Sequence, residues 1–341
     1  ADALSLADVV YLTDIYPARE TPIPGVSSAR IAELIQKPVH YVSCRHLLPR
    51  CVAQFAKEGD LVCGMGAGNI DQFVPLFLKE MDRQGPVRVA VVYGGDNAER
   101  EVSILSGNAI AAALETRGYD ISKVDVSDIL LGTGNLRQLT GPDRPDIAVL
   151  TVHGTHLEGG GMQGLMELLH LPYSGSGILA SALAMDKVQT KKTLKREGID
   201  VPEGIEVRSP SQTIDIALPV VVKPNKQGST VGLSFVTEPD ELREAVRVAF
   251  QYDDSILVEE MVTGMEVSVP VMGDRALLPV EIVSASGVYD FASKYTPGAT
   301  EEIVPARVST DILAQMQDLA LRSHRALNCE GATRTDIIWT G

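Results

Sequence analysis

The sequence predicts a multidomain α/β protein. Strand, glycine turn and helix alternate over residues 8–82 and again over 87–180. After residue 185 the pattern changes to strand-rich segments of α+β character. A third observation narrows the chemistry. Val220 to Gly232 reads VVVKPNKQGSTVG, a β-branched run that delivers a lysine into a glycine/hydroxyl loop. Such a loop suits nucleotide phosphates, because backbone amides and an ammonium converge on an anion. No GxxxxGK[ST] occurs, which excludes the familiar phosphate-loop architecture.

Composition bounds the class. With 341 residues, 45% of them hydrophobic, the chain can build cores for about two or three domains. Its 45 acidic residues outnumber 30 basic ones, for a net charge of -15. That balance argues against nucleic acid or an anionic membrane as the main partner. Cysteines at 44, 51, 63 and 329 have no metal-binding spacing and read as reduced thiols. There is no membrane-length apolar span and no signal-peptide pattern, so a cytoplasmic protein is expected. The start at Ala1 reads as mid-domain sequence, compatible with a removed leader or with a larger parent chain.

The elements follow in order. Residues 8–16 read as a short strand, after which Pro17, Pro22, Pro24 and Gly25 enforce a loop. Ser27 or Ser28 caps a helix carrying Ile31 and Ile35. A strand over 39–44, a helix over 46–57 and a strand over 60–63 lead to GMGAGNI and a helix to about 82. GMGAGN is a weak dinucleotide signal, lacking the last glycine of GxGxxG. Gln84-Gly85-Pro86 marks a junction, and VRVAVVYGG (87–95) is a buried strand. VDV (124–126) and IAVLTVHG (147–154) read as further parallel strands, and HGTHLEGGGMQG enters a helix. MDKVQTKKTLKREGI is a basic helix, and four apolar segments between 215 and 286 form an antiparallel sheet. Residues 287–302 read as a loop over a site, 311–327 as an amphipathic helix and 332–339 as a strand.

Several residues carry chemistry. Lys223, Gly228, Ser229 and Thr230 form the phosphate-type loop. Lys187 can clamp the same polyphosphate; in isolation it reads as part of a solvated helix with Lys191, Lys192 and Lys195. Glu259 and Glu260 end a strand and can meet adenine and ribose donors, and Glu266 can hold a ribose hydroxyl or support a metal. Exposed strand-end charges are an equal reading of all three. Arg334 and Asp336 alternate on one strand face, where Asp336 can hold Mg²⁺ and Arg334 can stabilise developing charge. A plain salt pair is the alternative. Glu99, at the carboxyl end of a strand, can anchor an amino group or merely start a helix with Arg100 and Glu101. His153 suits carboxylate binding or proton handling; with His156 it lacks a third zinc ligand.

Together these motifs resemble the D-alanine–D-alanine ligase family of ATP-grasp enzymes. VAVVYGGDNAEREVSILSG, VHGTHLEGGGMQG, YSGSGILASALAMDK, VVVKPNKQGSTVG and YDFASKY stand in family order over 87–341. The resemblance implies ATP and Mg²⁺ (or Mn²⁺) as cofactors and D-alanine as substrate. Glu99 would contact the amine of the first D-alanine and His153 its carboxylate region. Ser229 and Tyr295 would complete a hydrogen-bonded trio with Glu99. Lys187, Lys223 and Lys294 would hold ATP phosphates, while Glu259, Glu260 and Glu266 would lie on the nucleotide side. Arg334 would stabilise the tetrahedral intermediate and Asp336 would bind magnesium. The implied reaction makes an acyl phosphate, which the second D-alanine amine attacks.

The match has departures. Gly159 stands where the family usually has aspartate, and Phe291 where it often has tyrosine. The family's later Glu-x-Asn metal segment lies past Gly341, so an incomplete magnesium site in a longer parent is expected. Residues 8–82 are similar to the C-terminal domain of UDP-N-acetylmuramate–L-alanine ligase, through YLTDIYPARETPIPGVSS and DLVCGMGAGNI. The expected organisation is therefore a Mur-ligase-type Rossmann-like domain (1–84), a ligase N-terminal α/β domain (85–181) and an ATP-grasp region (182–341). A bifunctional parent in peptidoglycan synthesis follows, compatible with a homodimer. The alternatives are a ligase for another second substrate, such as D-lactate, and a noncatalytic nucleotide-binding fragment.

Overall fold

The computed structural model describes residues 3–13, 15, 26–42, 48–66, 70–82, 85–97, 99–130, 136–140, 144–284 and 298–341. The chain divides into two compact units, residues 1–86 and 87–341.

In the first unit, β1 (Val10–Leu12) and β2 (Val39–Tyr41) pair in parallel. Among the described residues the α-helices beside them are α1 (Ser28–Ala32), α2 (Leu48–Ala53) and α3 (Phe73–Met81). Leu48, Val52 and Phe73 form its small core. The strand expected over 60–63 is absent. The backbone N–H of Lys57 donates to Asp60 Oδ2 at 2.8 Å, closing a turn there, and Leu61 is 95% exposed. Val62 still packs against the small core, but among the described residues no neighbouring strand offers the segment a ladder. Among the described residues the parallel sheet of this unit has two strands, short of a Rossmann-like sheet.

The second unit begins with a parallel sheet. β3 (Arg88–Tyr93) lies between β4 (Asp120–Asp125) and β5 (Ile147–Leu150). Its apolar run is buried end to end, as a strand covered on both faces requires. α4 (Arg100–Glu115) returns over the sheet with Ser103, Gly107 and Ala111 buried. A Cβ on Gly107 would lie 2.8 Å from that of Tyr93, so only glycine permits this approach. β4 stops one residue before the expected 124–126 segment ends. Asp125 Oδ1 accepts the Ser127 N–H at 2.9 Å, and α5 (Val126–Leu130) starts there. α6 (Arg137–Thr140) and α7 (Met162–Leu168) complete the layer, whose core includes Val92, Val124, Leu139 and Met166.

Two helices, α8 (Ile178–Met185) and α9 (Lys187–Arg196), precede an antiparallel sheet. It contains β6 (Gly204–Val207), β7 (Val220–Pro224), β8 (Ser234–Val236) and β9 (Ile256–Glu260), in the order β6-β9-β7-β8. α10 (Leu242–Ala249) buries Ala245, Val246 and Ala249 against it.

A second antiparallel sheet holds β10 (Met265–Met272), β11 (Arg275–Ala276), β12 (Val280–Ser284), β13 (Thr300–Ile303) and β14 (Ala332–Trp339). α11 (Thr310–Ala326) covers it through Met316 and Ala320. Residues 300–302, expected as loop, belong to β13, where Thr300 and Glu301 pair with Ser284 and Val283 of β12. Residues 287–297 of that expected loop lie outside the described residues, and 298–299 form a turn leading into β13. β14 alternates between half-buried and exposed positions, which puts Arg334 and Asp336 together on its exposed face. Among the described residues no helix is long and apolar enough to cross a membrane.

Candidate active site

The site is assembled at the carboxyl ends of the parallel strands. Beyond β3, the Gly94 N–H donates to Ser103 Oγ at 2.8 Å, and that hydroxyl donates to the Thr151 carbonyl at 2.7 Å. Ser103 thus ties the ends of β3 and β5 through α4, fully buried. Ser103→Ala strands a buried donor and a buried acceptor and should cost about 2 kcal/mol. Thermal unfolding checks this, with an expected fall in Tm of about 4–8 °C.

Glu99 opens α4, and its neighbour Arg100 turns away from it. Arg100 donates to Asp125 Oδ1 at 3.0 Å and Oδ2 at 2.6 Å, a two-pronged bond that holds the Asp125 carboxyl below its usual range. Glu99 is free of that pair. Its Oε1 instead accepts the Ser229 hydroxyl from the loop after β7.

His153 follows β5. A bond to Glu158 raises its imidazole pKa, against the opposing effect of burial, and the Glu99 charge adds to the rise. Its Nδ1 lies 3.7 Å from Glu158 Oε1. Its Nε2 is buried with no hydrogen-bond partner among the described residues. A buried nitrogen of this kind calls for a partner, which a water or a substrate's polar group can supply. His156 is exposed and joins nothing here.

The lysines gather on the adjoining elements. Asp186 caps α9 by accepting the Gln189 N–H at 2.9 Å, which makes Lys187 the first helical residue. A cation at that end opposes the helix dipole, so its placement serves something other than helix stability. Lys187 Nζ donates to the Asn225 carbonyl at 3.1 Å and the Gln227 carbonyl at 2.5 Å. Burial, then the nearby Lys223 charge, pushes its pKa down to about 8. The solvated-helix reading of Lys187 therefore gives way. Lys223 on β7 and Lys191 on α9 each donate to one oxygen of Glu259 on β9. Burial would raise the Glu259 carboxyl; the two ammoniums outweigh it and hold the pKa below its usual range. Three lysines thus gather near Glu259, with the Asp253 and Asp186 charges also acting on Lys187.

Not every sequence candidate joins these clusters. Glu260 points to the other face of β9 and accepts the Glu203 N–H at 2.8 Å. Glu266 sits on β10 opposite Ile282 and Ile338. Arg334 Nε lies 3.0 Å from Asp336 Oδ1, and Arg334 Nη2 donates to Oδ2 at 3.2 Å; Ser268 donates to Oδ1 at 3.0 Å. Lys294 and Tyr295 lie outside the described residues. Among the described residues no three His, Cys, Asp or Glu side chains are gathered as a metal would require. Asp336, committed to Arg334 and Ser268, does not make a divalent-cation site alone.

Sequence reasoning passed over Asn225 and Asn97, and read Lys191 only as part of a solvated helix. Lys191 stands four residues after Lys187, hence on the same helix face, a spacing that would have flagged it. Asn225, 1% exposed, accepts the Val188 N–H through Oδ1 at 2.9 Å. Asn97 donates to the His153 carbonyl at 2.8 Å, which no local pattern announces.

Comparison with known proteins agrees with this architecture. The family model described as the D-ala D-ala ligase C-terminus matches residues 200–341. A D-alanine–D-alanine ligase of Desulforamulus reducens is 42% identical over 268 residues, covering 74% of this chain and 84% of the relative. One from Geobacter sulfurreducens is 40% identical over 264 residues, covering 76% and 81%. Among solved structures, a Bacillus anthracis D-alanine–D-alanine ligase complexed with ATP is similar at a TM-score of 0.63 and 28% identity, covering 74% of this chain and 82% of that one. The VanG D-Ala:D-Ser ligase of Enterococcus faecalis is similar at 0.63 and 28%, covering 75% and 87%. These matches cover about three quarters of the chain, and none of them extends the likeness to a fused Mur ligase. With its fold, and with relatives above 40% identity along most of their length, the chain belongs to the D-alanine–D-alanine ligase family of enzymes.

Proposed function

We propose that this enzyme joins two D-alanines at the expense of ATP, releasing ADP and phosphate, in peptidoglycan precursor synthesis. One observation carries the reading. The loop after β7 meets the lysine cluster at one end and Glu99 at the other: Lys187 binds carbonyls at 225 and 227, and Ser229 binds Glu99. A phosphate site and an amino-group site are thereby fixed to one short segment.

Within it, Lys187 and Lys223 hold ATP phosphates, with Lys294 from the segment before β13. Glu259 sets the position of Lys223, and Glu266 flanks the nucleotide; Glu260, turned to the other face of β9, is left out of the site. Glu99 takes the ammonium of the first D-alanine, and the orphan nitrogen of His153 faces its carboxylate region. Ser229 and Tyr295 orient Glu99. Arg334, once drawn off Asp336, stabilises oxyanion charge at the attacked carbonyl. The described residues do not form the magnesium site by themselves. We assign residues 85–181 and 182–341 to the ligase, acting in the cytoplasm. On sequence resemblance alone, residues 1–84 are a Mur-ligase-type domain of a bifunctional parent.

The test is direct. Purified protein with ATP, Mg²⁺ and D-alanine should release ADP and D-alanyl-D-alanine in equal amounts. Folded protein that makes no ATP-dependent dipeptide overturns the reading. Competition by D-serine and D-lactate decides the second substrate, which the likeness to a D-Ala:D-Ser ligase makes the open choice.

A further inference from the structure

Two protein groups that would hold one amino acid come from segments far apart in sequence. Glu99 stands after β3 and His153 after β5. A single side chain joins them. Asn97 Oδ1 accepts the Glu99 N–H at 2.9 Å, and Asn97 Nδ2 donates to the His153 carbonyl at 2.8 Å, across 56 positions of chain. The loop is shaped around this amide. Gly154 has φ +95°, and a Cβ there would lie 2.3 Å from Asn97 Nδ2. The same loop is closed internally, with the Leu157 and Glu158 N–H groups donating to the Gly154 carbonyl at 3.1 and 2.9 Å.

Glu99 and His153 are close enough for their charges to interact. After Glu158, whose hydrogen bond is the largest influence, the Glu99 charge also raises the imidazole pKa. The buried His153 Nε2 has no partner among the described residues. An α-amino acid carries its ammonium and carboxylate on one carbon. Recognition therefore needs an anionic and a cationic or donor group at a fixed, short separation. A carboxamide suits the task of fixing it, because it offers a donor and an acceptor on one rigid plane without adding charge.

We propose that Asn97 is a positioning residue, bracketing Glu99 and His153 so that the two ends of the first amino-acid substrate are held at a set distance. The role rests on the proposed ligase reading for its substrate, and its mechanical part stands apart from it. Asn97 touches no reacting atom; it acts through the backbones of the two residues that do.

Two variants separate the arms of the bracket. Asn97→Asp keeps the acceptor for the Glu99 N–H and loses the donor to the His153 carbonyl. Asn97→Ala loses both. At about fivefold per neutral hydrogen bond, the apparent KM for D-alanine should rise about 5-fold in Asn97→Asp and about 25-fold in Asn97→Ala. The KM for ATP should stay within about twofold, since the lysine cluster makes no bond to Asn97. Hydrogen exchange of the unliganded protein supplies a readout that needs no turnover. Asn97→Ala should speed exchange at the amides of Glu99, Leu157 and Glu158, and Asn97→Asp at the last two alone. Unchanged exchange over 153–158 in Asn97→Ala overturns the bracket. An equal rise in KM for ATP overturns the positioning role. Wild-type protein that makes no dipeptide overturns the ligase reading, and the exchange pattern still decides for or against the bracket.

Discussion

Glu259→Ala should destabilise the protein by about 3–5 kcal/mol, the usual cost of breaking a buried ion pair from one side. The Glu259 side chain is 8% exposed, and its two oxygens are each held by a separate lysine, Lys191 and Lys223. Removing the carboxylate leaves two ammoniums facing one another out of water, with Lys187 close enough to repel Lys223. In a unit of this size Tm should fall by about 10 °C. Part of the loss should return as pH rises and the stranded lysines shed protons. Glu259→Gln, which keeps the shape and one acceptor oxygen but neither the charge nor the second acceptor, should fall between wild type and alanine. The doubly altered Glu259→Gln, Lys191→Met protein should recover stability over Glu259→Gln alone, because one unpaired charge leaves with the lysine. Calorimetry across this series checks the ordering; a loss below about 1 kcal/mol for Glu259→Ala would show that water already reaches the trio.

The second large effect concerns Lys187. Its ammonium should lose its proton near pH 8 in the unliganded protein. ATP phosphates would pull that proton back, so binding above pH 8 should take up most of a proton. Titration calorimetry at pH 8.5 in buffers of different ionisation enthalpy measures the uptake directly. Lys187→Arg should bind ATP with no uptake, because guanidinium stays charged. Lys187→Met should weaken ATP about 100-fold, the worth of a charged hydrogen-bond donor to phosphate. The sign for folding runs the other way from the usual lysine. The folded pKa lies below the unfolded value of 10.5, so between about pH 8 and 10.5 the unfolded chain binds more protons and stability rises with pH. The burial cost, roughly 3 kcal/mol, is fully present below pH 8 and is relieved across that window. ATP affinity independent of pH from 7 to 9.5 would remove Lys187 from the phosphate site.

These two effects bear on what a sequence can reveal. The buried run VAVV and the lysine-bearing VVVKP were legible because composition alone settles them: continuous β-branched residues demand cover on both faces. The strands beside them were legible only approximately. Nothing in VDV says that the Asp125 side chain turns back to cap Ser127 and end the strand one residue early. The segment DLVC looked like a strand because it is apolar, yet Leu61 stands almost wholly in solvent; a strand needs a partner, and partners are tertiary. The site divides in the same way. Lys223, Ser229 and Glu99 stand in motifs with a local signature. Glu259 stands at a strand end, but its role between two lysines depends on Lys191 reaching it from α9, which no local pattern encodes. Asn97 was invisible for the same reason, since its second partner comes from a loop more than fifty positions away.

Ser229 and Thr230 occupy the left-handed region, with φ of 49° and 60°. Neither is glycine, and a threonine there works against its own branched side chain. Leu233 and Val231 close turns around them, donating to the Thr230 and Gly228 carbonyls at 3.2 and 3.1 Å. The consequence is an evolutionary tension. A drift toward glycine at these two places would relax the backbone and reward stability, while erasing the hydroxyl that reaches Glu99. Selection for a sturdier protein and selection for a working one therefore pull this loop in opposite directions.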